Sequence, residues 1–335
     1  MMTDTTTTKS RGWSLAGRID IAAIAPFVAL AALLVLGTIV NDSFLSVGNL
    51  TNVLTRSAFI AIIAIGATFV ISGGGLDLSV GAMAAFVASL MILFMNTGLI
   101  ENNFLMLVAA MALSIAIGAA CGLANGLIST LGRIEPFIAT LGTMGIFRGL
   151  TTWLSQGGSI TMKAPDLRDL YRPVYFANFF GAPVPVLIIL AMAVIGAFVF
   201  YRTPFGRHVI AVGSNDDVAR YSGIPVPRVR TLTYVIQGVC VAVAVIVYVP
   251  RIGSATATTG LLWELQAITA VVIGGTALRG GVGRIWGTIC GAFILEIVGN
   301  IMVLSDFISE YLIGAVQGAI IIIAMLVQRS LLRRR

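Results

Sequence analysis

Long apolar runs alternate with short polar or charged clusters along almost the whole chain. A helix needs roughly 20 apolar residues to cross a bilayer, and ten of the runs approach or exceed that length. They cover residues 21–40, 53–72, 79–96, 104–131, 136–155, 184–201, 231–249, 263–278, 284–304 and 308–328. This pattern predicts an all-α, polytopic integral membrane protein with about ten transmembrane helices.

The same pattern divides the chain into parts. Residues 1–20 form a polar tail, residues 21–328 the transmembrane domain, with a charged segment at 202–230, and residues 329–335 a basic tail. The first apolar run is too long for a signal peptide, so we expect a retained helix. Basic residues accumulate on the cytoplasmic side of membrane proteins. Their distribution predicts that segment 202–230 and both termini are cytoplasmic, and the exceptions are Arg56, Arg148, Lys163, Arg168, Arg172 and Arg251.

The composition agrees with a membrane protein. Hydrophobic residues make up 58% of the chain and charged residues 10%, and the mean hydropathy is +1.00. About a quarter of the residues in soluble domains are charged. The net charge of +7 is dispersed between apolar runs, so it sets the orientation in the membrane and does not predict nucleic-acid binding.

Two glycine-rich segments resemble each other. Residues 70–81 match residues 272–283 at a constant offset of 202, and the same offset places helices 1–4 over helices 7–10. This repeat predicts two related halves that cross the membrane in the same direction. Residues 73–77 and 274–279 are surface loops or re-entrant segments, and the re-entrant alternative leaves eight spanning helices. The small-residue spacing of Gly118, Gly122 and Gly126 favours close helix packing within one subunit, with a dimer contact as the alternative.

Residues for catalysis are scarce. The only lysines are Lys9 and Lys163, and neither follows a Gly-x-x-x-x-Gly stretch, so a Walker A phosphate loop is absent. The chain has one histidine, His208, and no clustered carboxylates. We therefore expect neither a metal site nor a nucleophile with its base. The sequence predicts a chain that is not an enzyme, so energy for any driven transport would come from elsewhere.

Polar residues in or beside the apolar runs are candidates for a translocation path or a gate. Asp77 follows three glycines at a helix start, where capping is the main interpretation and gating the alternative. A charged Glu296 inside a span would cost roughly 3 kcal/mol or more. A proton-coupling role and a neutral structural role both stay open for it, and no basic partner is near in sequence. The candidates are Asp77, Asn125, Gln237, Gln266, Glu296 and Asn300. For most of the amides, interhelical hydrogen bonding is the plainer interpretation.

The charged segment 202–230 contains the signature of a short capped helix. Asn215 or Ser214 caps its start, acidic residues follow in the first turn, Gly223 supplies the left-handed stop, and Pro225 prevents continuation. Since so short a helix is marginal in water, we expect a partner surface to receive it, with a solvated loop helix as the alternative. The candidates for this contact are Asn215, Asp216, Asp217, Ala219, Arg220, Ser222 and Gly223.

Four ordered motifs resemble those of the permease subunits of ABC importers for monosaccharides, of the ribose, xylose and galactose type. They are ISGGGLDLSVG at 71–81, TPFGR at 203–207, AVGSN with ARYSGI between 211 and 224, and VIGG with GVG between 272 and 283. Residues 217–223 also resemble the loop by which importer permeases engage their ATPase. Val218 replaces the usual alanine there, and Gly75 lengthens the usual Gly-Gly-Asp run.

The resemblance implies the bacterial inner membrane and a pair of permease subunits, identical or different. It also implies two cytoplasmic ATPase subunits that use ATP and Mg²⁺, and a periplasmic or lipoprotein sugar-binding protein. The permease itself would bind no cofactor and would carry a pentose or hexose by alternating access. The alternative, based on Glu296 and the repeat, is an ion-coupled secondary transporter of a small polar solute.

Overall fold

The computed structural model describes residues 21–305, 312, 314–316, 318–320 and 322. The predicted tails at 1–20 and 329–335 lie outside the described residues, as does most of the predicted helix 308–328. The number of ten helices and the placement of both termini therefore stay predictions.

Helices account for most of the described chain. They are α1 (Ile21–Val40), α2 (Val47–Arg56), α3 (Ala58–Ser72), α4 (Val80–Met95), α5 (Asn103–Leu131), α6 (Pro136–Ser155), α7 (Pro165–Tyr171), α8 (Pro173–Phe176), α9 (Val184–Arg202), α10 (Pro204–Ser214), α11 (Asp216–Tyr221), α12 (Val226–Ile252), α13 (Trp263–Ile273) and α14 (Ile285–Leu304). Two antiparallel strand pairs join β1 (Ser159–Thr161) to β4 (Ser254–Thr256) and β2 (Asn178–Phe179) to β3 (Ala182–Pro183).

The nine predicted helices that fall within the described residues are confirmed, with changes at their ends. The predicted helix 53–72 is the pair α2 and α3, which meet at Ser57. α13 ends five residues earlier than expected, because the chain turns at Gly274 and Gly275 has a φ of 84°. Within the described residues, six helical spans are long and apolar enough to cross a membrane, and α4 and α13 are shorter apolar helices.

α3 lies at the centre of the fold, and all 15 of its residues are buried. It packs against α12, α13, α14 and α9. α1 joins the fold elsewhere, through a small apolar cluster that contains Phe44, Val53 and Ile297. The core of the protein is therefore formed by α3 and the helices around it, with α1 and α2 attached to α14.

α5 and α12 pack antiparallel through glycines of α5. A Cβ atom on Gly118 would lie 2.8 Å from the Cβ of Ala242, and one on Gly126 would lie 2.7 Å from the Cα of Thr231. These distances are shorter than real side-chain contacts, so only glycine permits this approach. The predicted close packing within one subunit is confirmed.

The course of α9 separates two sides of the molecule. α9 runs from the β2–β3 hairpin to α10 and α11; we call its two ends the hairpin side and the α11 side. α12 begins next to α11, where Arg230 contacts Asp216, and runs to the hairpin side. α3 runs the other way, since Phe59 contacts Tyr248 while its last residues reach the α11 side.

The two glycine-rich segments begin in the same way and then diverge. Both α3 and α13 end on the α11 side, and the N–H groups of Gly75 and Thr276 bond back to the carbonyl oxygens of Val70 and Val271. The offset is 201 at these bonds, whereas α4 and α14 begin 205 residues apart. The constant offset of 202 is thus wrong at the helix ends, because residues 276–284 form a longer connection.

Candidate functional site

The segment from Arg202 to Arg230 contains two helices where the sequence analysis expected one. α10 (Pro204–Ser214) begins with Thr203, whose hydroxyl accepts the Gly206 N–H at 3.4 Å, and Pro204 occupies its first turn. A threonine cap followed by proline is a typical helix start. This signal was present in the sequence and was not used.

α11 has the predicted caps. The Asn215 side chain accepts the Val218 N–H at 3.0 Å, and two aspartates occupy the first turn. Gly223 has a φ of 79°, and the Ile224 N–H bonds to the Ala219 carbonyl at 3.0 Å. This is the bonding pattern of a helix that ends at a left-handed glycine. The prediction of a short capped helix is confirmed.

The predicted contact residues of α11 do not share one face. Asn215, Asp217, Arg220, Ser222 and Gly223 are exposed. Asp216 is half-buried and pairs with Arg230 at 3.4 Å, and Ala219 is buried, so these two residues fix the helix to the protein.

Two apolar side chains on the open face of α11 were not among the predicted contact residues. Val218 is 60% exposed and Tyr221 is 92% exposed. Tyr221 interrupts a polar stretch with a large aromatic ring, which was a usable signal. The open face of α11 thus combines apolar and charged side chains.

The last turn of α10, just before α11, makes a backbone contact with two other parts of the chain. We call Ser72, Gly213, Gly280 and Gly281 the glycine junction. The Gly281 N–H donates to the Ser72 carbonyl at 2.9 Å. A Cβ on Gly213 would overlap this carbonyl oxygen and lie 2.7 Å from the Gly281 nitrogen. The last turn of α10, the end of α3 and the 276–284 connection therefore touch without intervening side chains.

Asp77 lies in a buried polar cluster near this junction. Its Oδ1 accepts the Ser79 N–H at 2.9 Å and the Ser79 hydroxyl at 2.7 Å. Asn125 Nδ2 donates to Ser79 Oγ at 2.8 Å and lies 3.4 Å from both Asp77 oxygens. Asp77 therefore orders the residue just before α4, but it accepts no N–H of the first turn of α4 and is not the cap that the capping interpretation expects. It also connects this turn to α5.

Three helices hold the segment 73–79. The Tyr234 hydroxyl of α12 donates to the Leu76 carbonyl at 3.1 Å, and Thr140 Oγ1 of α6 accepts the Leu78 N–H at 3.1 Å. Asn125 of α5 supplies the third contact through Ser79. Most of the segment is buried. Residues 73–79 are thus held against the protein by side chains of α5, α6 and α12, with Gly74 exposed.

The remaining path candidates lie apart from Asp77 and Asn125. Gln237 Nε2 donates to the Ile63 carbonyl at 3.3 Å and so joins α12 to α3. Gln266 is half-buried near the start of α13. Asn300 exchanges amide hydrogen bonds of 2.8–2.9 Å with Asn49 of α2. Of the six candidates, Asp77 and Asn125 are brought together, at 3.4 Å.

Glu296 has a basic partner, contrary to the expectation from sequence. Its carboxylate lies 3.6 Å from the guanidinium of Arg56, and both side chains are partly exposed. The partner was missed because 240 positions separate the two residues, and only the packing of α2 on α14 brings them together. A paired carboxylate on the hairpin side offers little support for proton coupling.

Comparisons with known proteins agree with this architecture. Residues 49–325 match the family model described as "Branched-chain amino acid transport system / permease component". The ribose import permease protein RbsC of Bacillus subtilis is 40% identical over 309 residues, 92% of each chain. That of Haemophilus influenzae is 35% identical over 305 residues, 91% of this chain and 92% of its own.

A fructose permease is similar over a longer stretch. The fructose import permease protein FruG of Bifidobacterium longum is 30% identical over 342 aligned residues, 99% of this chain and 98% of its own. Both the family model and these relatives span most of the chain. The chain therefore belongs to the family of membrane permease components that the model describes.

Proposed function

We propose that this chain forms the translocation path of an ATP-driven importer for a monosaccharide, a pentose or a hexose. A binding protein delivers the sugar, and separate ATPase subunits bind ATP and Mg²⁺. The similarity to ribose import permeases at 35–40% identity supports a sugar as the cargo. The exposed, capped α11 on the glycine junction supports coupling to an ATPase, and it is the observation on which the proposal rests.

The composition of α11 suits a protein partner. Val218 and Tyr221 supply exposed apolar area, and Asp217 and Arg220 supply charges of both signs. Protein interfaces combine an apolar centre, rich in aromatic residues, with a polar rim. A helix this short is marginal alone, but its caps and the Asp216–Arg230 pair keep it folded before a partner binds. Docking would therefore require little reordering.

The glycine junction carries displacement of α11 into the core. Backbone atoms of Ser72, Gly213 and Gly281 are in direct contact, so no flexible side chain can absorb the movement between them. Close-packed interiors transmit strain. A push on α11 by the ATPase therefore moves α3, and with it the segment 73–79 that holds Asp77 beside Asn125. We assign Asp77 and Asn125 to the gate on this basis.

The orientation follows from the same proposal. The ATPase acts in the cytoplasm, so the α11 side is cytoplasmic and the hairpin side faces the binding protein. Both termini are then cytoplasmic, as the distribution of basic residues predicts. Two permease subunits in the inner membrane enclose the path. Glu296 lies on the outer side, paired with Arg56, so ion-driven transport is not favoured.

Uptake in reconstituted vesicles tests the proposal. The chain is purified with its ATPase, and entry of labelled ribose is measured with binding protein outside and ATP inside. Gly223→Pro forces a negative φ where the structure needs 79°, and Asp217→Arg reverses a charge on the open face of α11. We expect both to reduce uptake at least tenfold while the subunits still copurify.

A matched control is Glu135→Arg, which reverses an exposed charge at the start of α6, on the same side as α11. We expect it to retain uptake. Normal uptake by both α11 variants, with intact subunit assembly, would overturn the coupling role. Uphill uptake driven by a proton or sodium gradient, without the ATPase, would replace the proposed function with the secondary-transporter alternative.

A further inference from the structure

The β2–β3 hairpin presents an aromatic residue at its tip. Asn178 pairs with Pro183 and Phe179 with Ala182, which leaves Phe180 and Gly181 as a two-residue turn. Their φ angles are 51° and 79°. A turn with two positive φ angles has the type I′ form, in which Asn-Gly is the favoured pair.

Phe180 is unfavourable at this position in two ways. A bulky residue with positive φ is an outlier, since its Cβ crowds the backbone. The side chain is also 94% exposed, so packing within the chain does not account for it. Its ring contacts the ring of Phe179 at a centroid distance of 4.5 Å, and Phe179 is itself 59% exposed. A strained, exposed aromatic pair indicates a contact outside the chain.

The location of the hairpin indicates what that contact is. The Val184 N–H that begins α9 donates to the Ala177 carbonyl at 3.0 Å, so the hairpin closes directly onto this span. α9 has 19 residues and is about 29 Å long at 1.5 Å per residue, close to the ~30 Å hydrocarbon thickness. The hairpin therefore lies at the level where hydrocarbon meets head groups.

The surroundings of the hairpin are apolar. Residues 173–201 contain no Asp, Glu, Lys or Arg, so the uncharged character of α9 continues through the hairpin without a break. One face of α9 is exposed and apolar. It consists of Leu190, Val194, Ile195 and Phe198. Arg172, whose guanidinium lies 5.5 Å from the ring centroid of Phe176, marks the charged boundary of the stretch.

We propose that Phe179 and Phe180 insert into the interfacial layer of the bilayer and anchor the 157–183 connection to the membrane beside α9. Phenylalanine is among the apolar residues by which surface segments enter the boundary between head groups and acyl chains. Insertion removes the exposed rings from water, and this gain offsets the strained backbone of Phe180. A protein partner is less well suited, because a protein interface carries a polar rim and the hairpin has no charged residue.

Site-directed labelling of the membrane-embedded full chain, copurified with its ATPase, tests the proposal. Phe180→Cys is labelled with bimane in vesicles, and quenching by nitroxide lipids is compared with quenching by aqueous iodide. Phe198→Cys on the exposed apolar face of α9 and Lys163→Cys on an exposed, charged connection are the controls. Parallel labelling of the unmutated chain measures any background from the buried Cys121, Cys240 and Cys290.

We expect the label at 180 to be quenched by interfacial nitroxide lipids several-fold more than the label at 163, and to be protected from iodide. Phe179→Cys gives the same test should Phe180→Cys fail to assemble. Iodide quenching equal to that at 163, with no lipid quenching, would overturn the proposal. Protection from iodide that appears only after the binding protein is added would also overturn it, in favour of protein docking.

Discussion

The substitution Gly213→Ala tests whether the glycine junction transmits movement from α11 to α3. Its methyl group would overlap the Ser72 carbonyl oxygen and lie 2.7 Å from the Gly281 nitrogen. Ordinary contacts of a Cβ begin near 3.4 Å. The backbone at position 213 must therefore move at least about 0.7 Å away from the Gly281 nitrogen, and farther from the Ser72 oxygen. Both neighbours are backbone atoms, so neither can rotate away.

The expected effect has two parts. Overpacking of this kind costs roughly 1–3 kcal/mol, and loss of the hydrogen bond between Ser72 and Gly281 adds about 1 kcal/mol. If strain of about 1.4 kcal/mol falls on only one of the two transport conformations, their ratio changes about tenfold. We therefore expect lower thermal stability together with a several-fold fall in sugar transported per ATP hydrolysed.

The assay is the ratio of labelled sugar uptake to phosphate release in the same vesicles. A general loss of folded protein lowers both quantities equally, whereas loss of coupling lowers the ratio. Gly48→Ala in α2 is the matched control, because no atom lies within 4 Å of the added methyl group, and we expect wild-type values from it. An unchanged ratio and melting temperature for Gly213→Ala would refute the transmission of movement through the junction.

Three further predictions concern other contacts. Asn125→Ala removes hydrogen bonds from the buried Asp77 cluster, so a thermal melt in detergent should show a loss of about 1–3 kcal/mol. Glu296→Gln weakens a partly exposed pair with Arg56, so ATP-driven uptake should stay within about twofold of wild type and stability within about 1 kcal/mol; abolished uptake would contradict this. Gly122→Ala places a methyl group in overlap with the α12 backbone, so overpacking should cost roughly 1–3 kcal/mol in the same melt.

The local features of the fold could be predicted from sequence. Apolar runs predict the membrane helices, and the caps at Asn215 and Gly223 predict α11. Each of these signals lies within a few neighbouring residues. Helix boundaries differ from the predicted ones where the capping signals were not considered. α12 begins at Val226, five residues before its apolar run, because prolines at 225 and 227 suit a first turn.

Contacts across the fold could not be predicted in this way. Ser72 ends a predicted helix, Gly213 precedes the predicted capped helix, and Gly281 lies between two predicted helices. No local pattern shows that their backbones meet. The Arg56–Glu296 pair was hidden for the same reason. The sequence did identify Asp77 and Asn125 separately as polar residues near spans. It gave no sign that the two bond to the same serine.

The packing of the core limits how the transporter can move. α3 touches α12 at Gly66 and Gln237, and α5 touches α12 at Gly118 and Gly126, in each case at distances that leave no room for a methyl group. The 276–284 connection is bonded to α3 at Ser72. Sliding any of these helices past its neighbour would bring backbone atoms into collision. We therefore expect α3, α5 and α12 to move together when α11 is displaced, and we propose that alternating access arises from rotation of this unit against a second subunit, because rearrangement among these three helices would break their contacts.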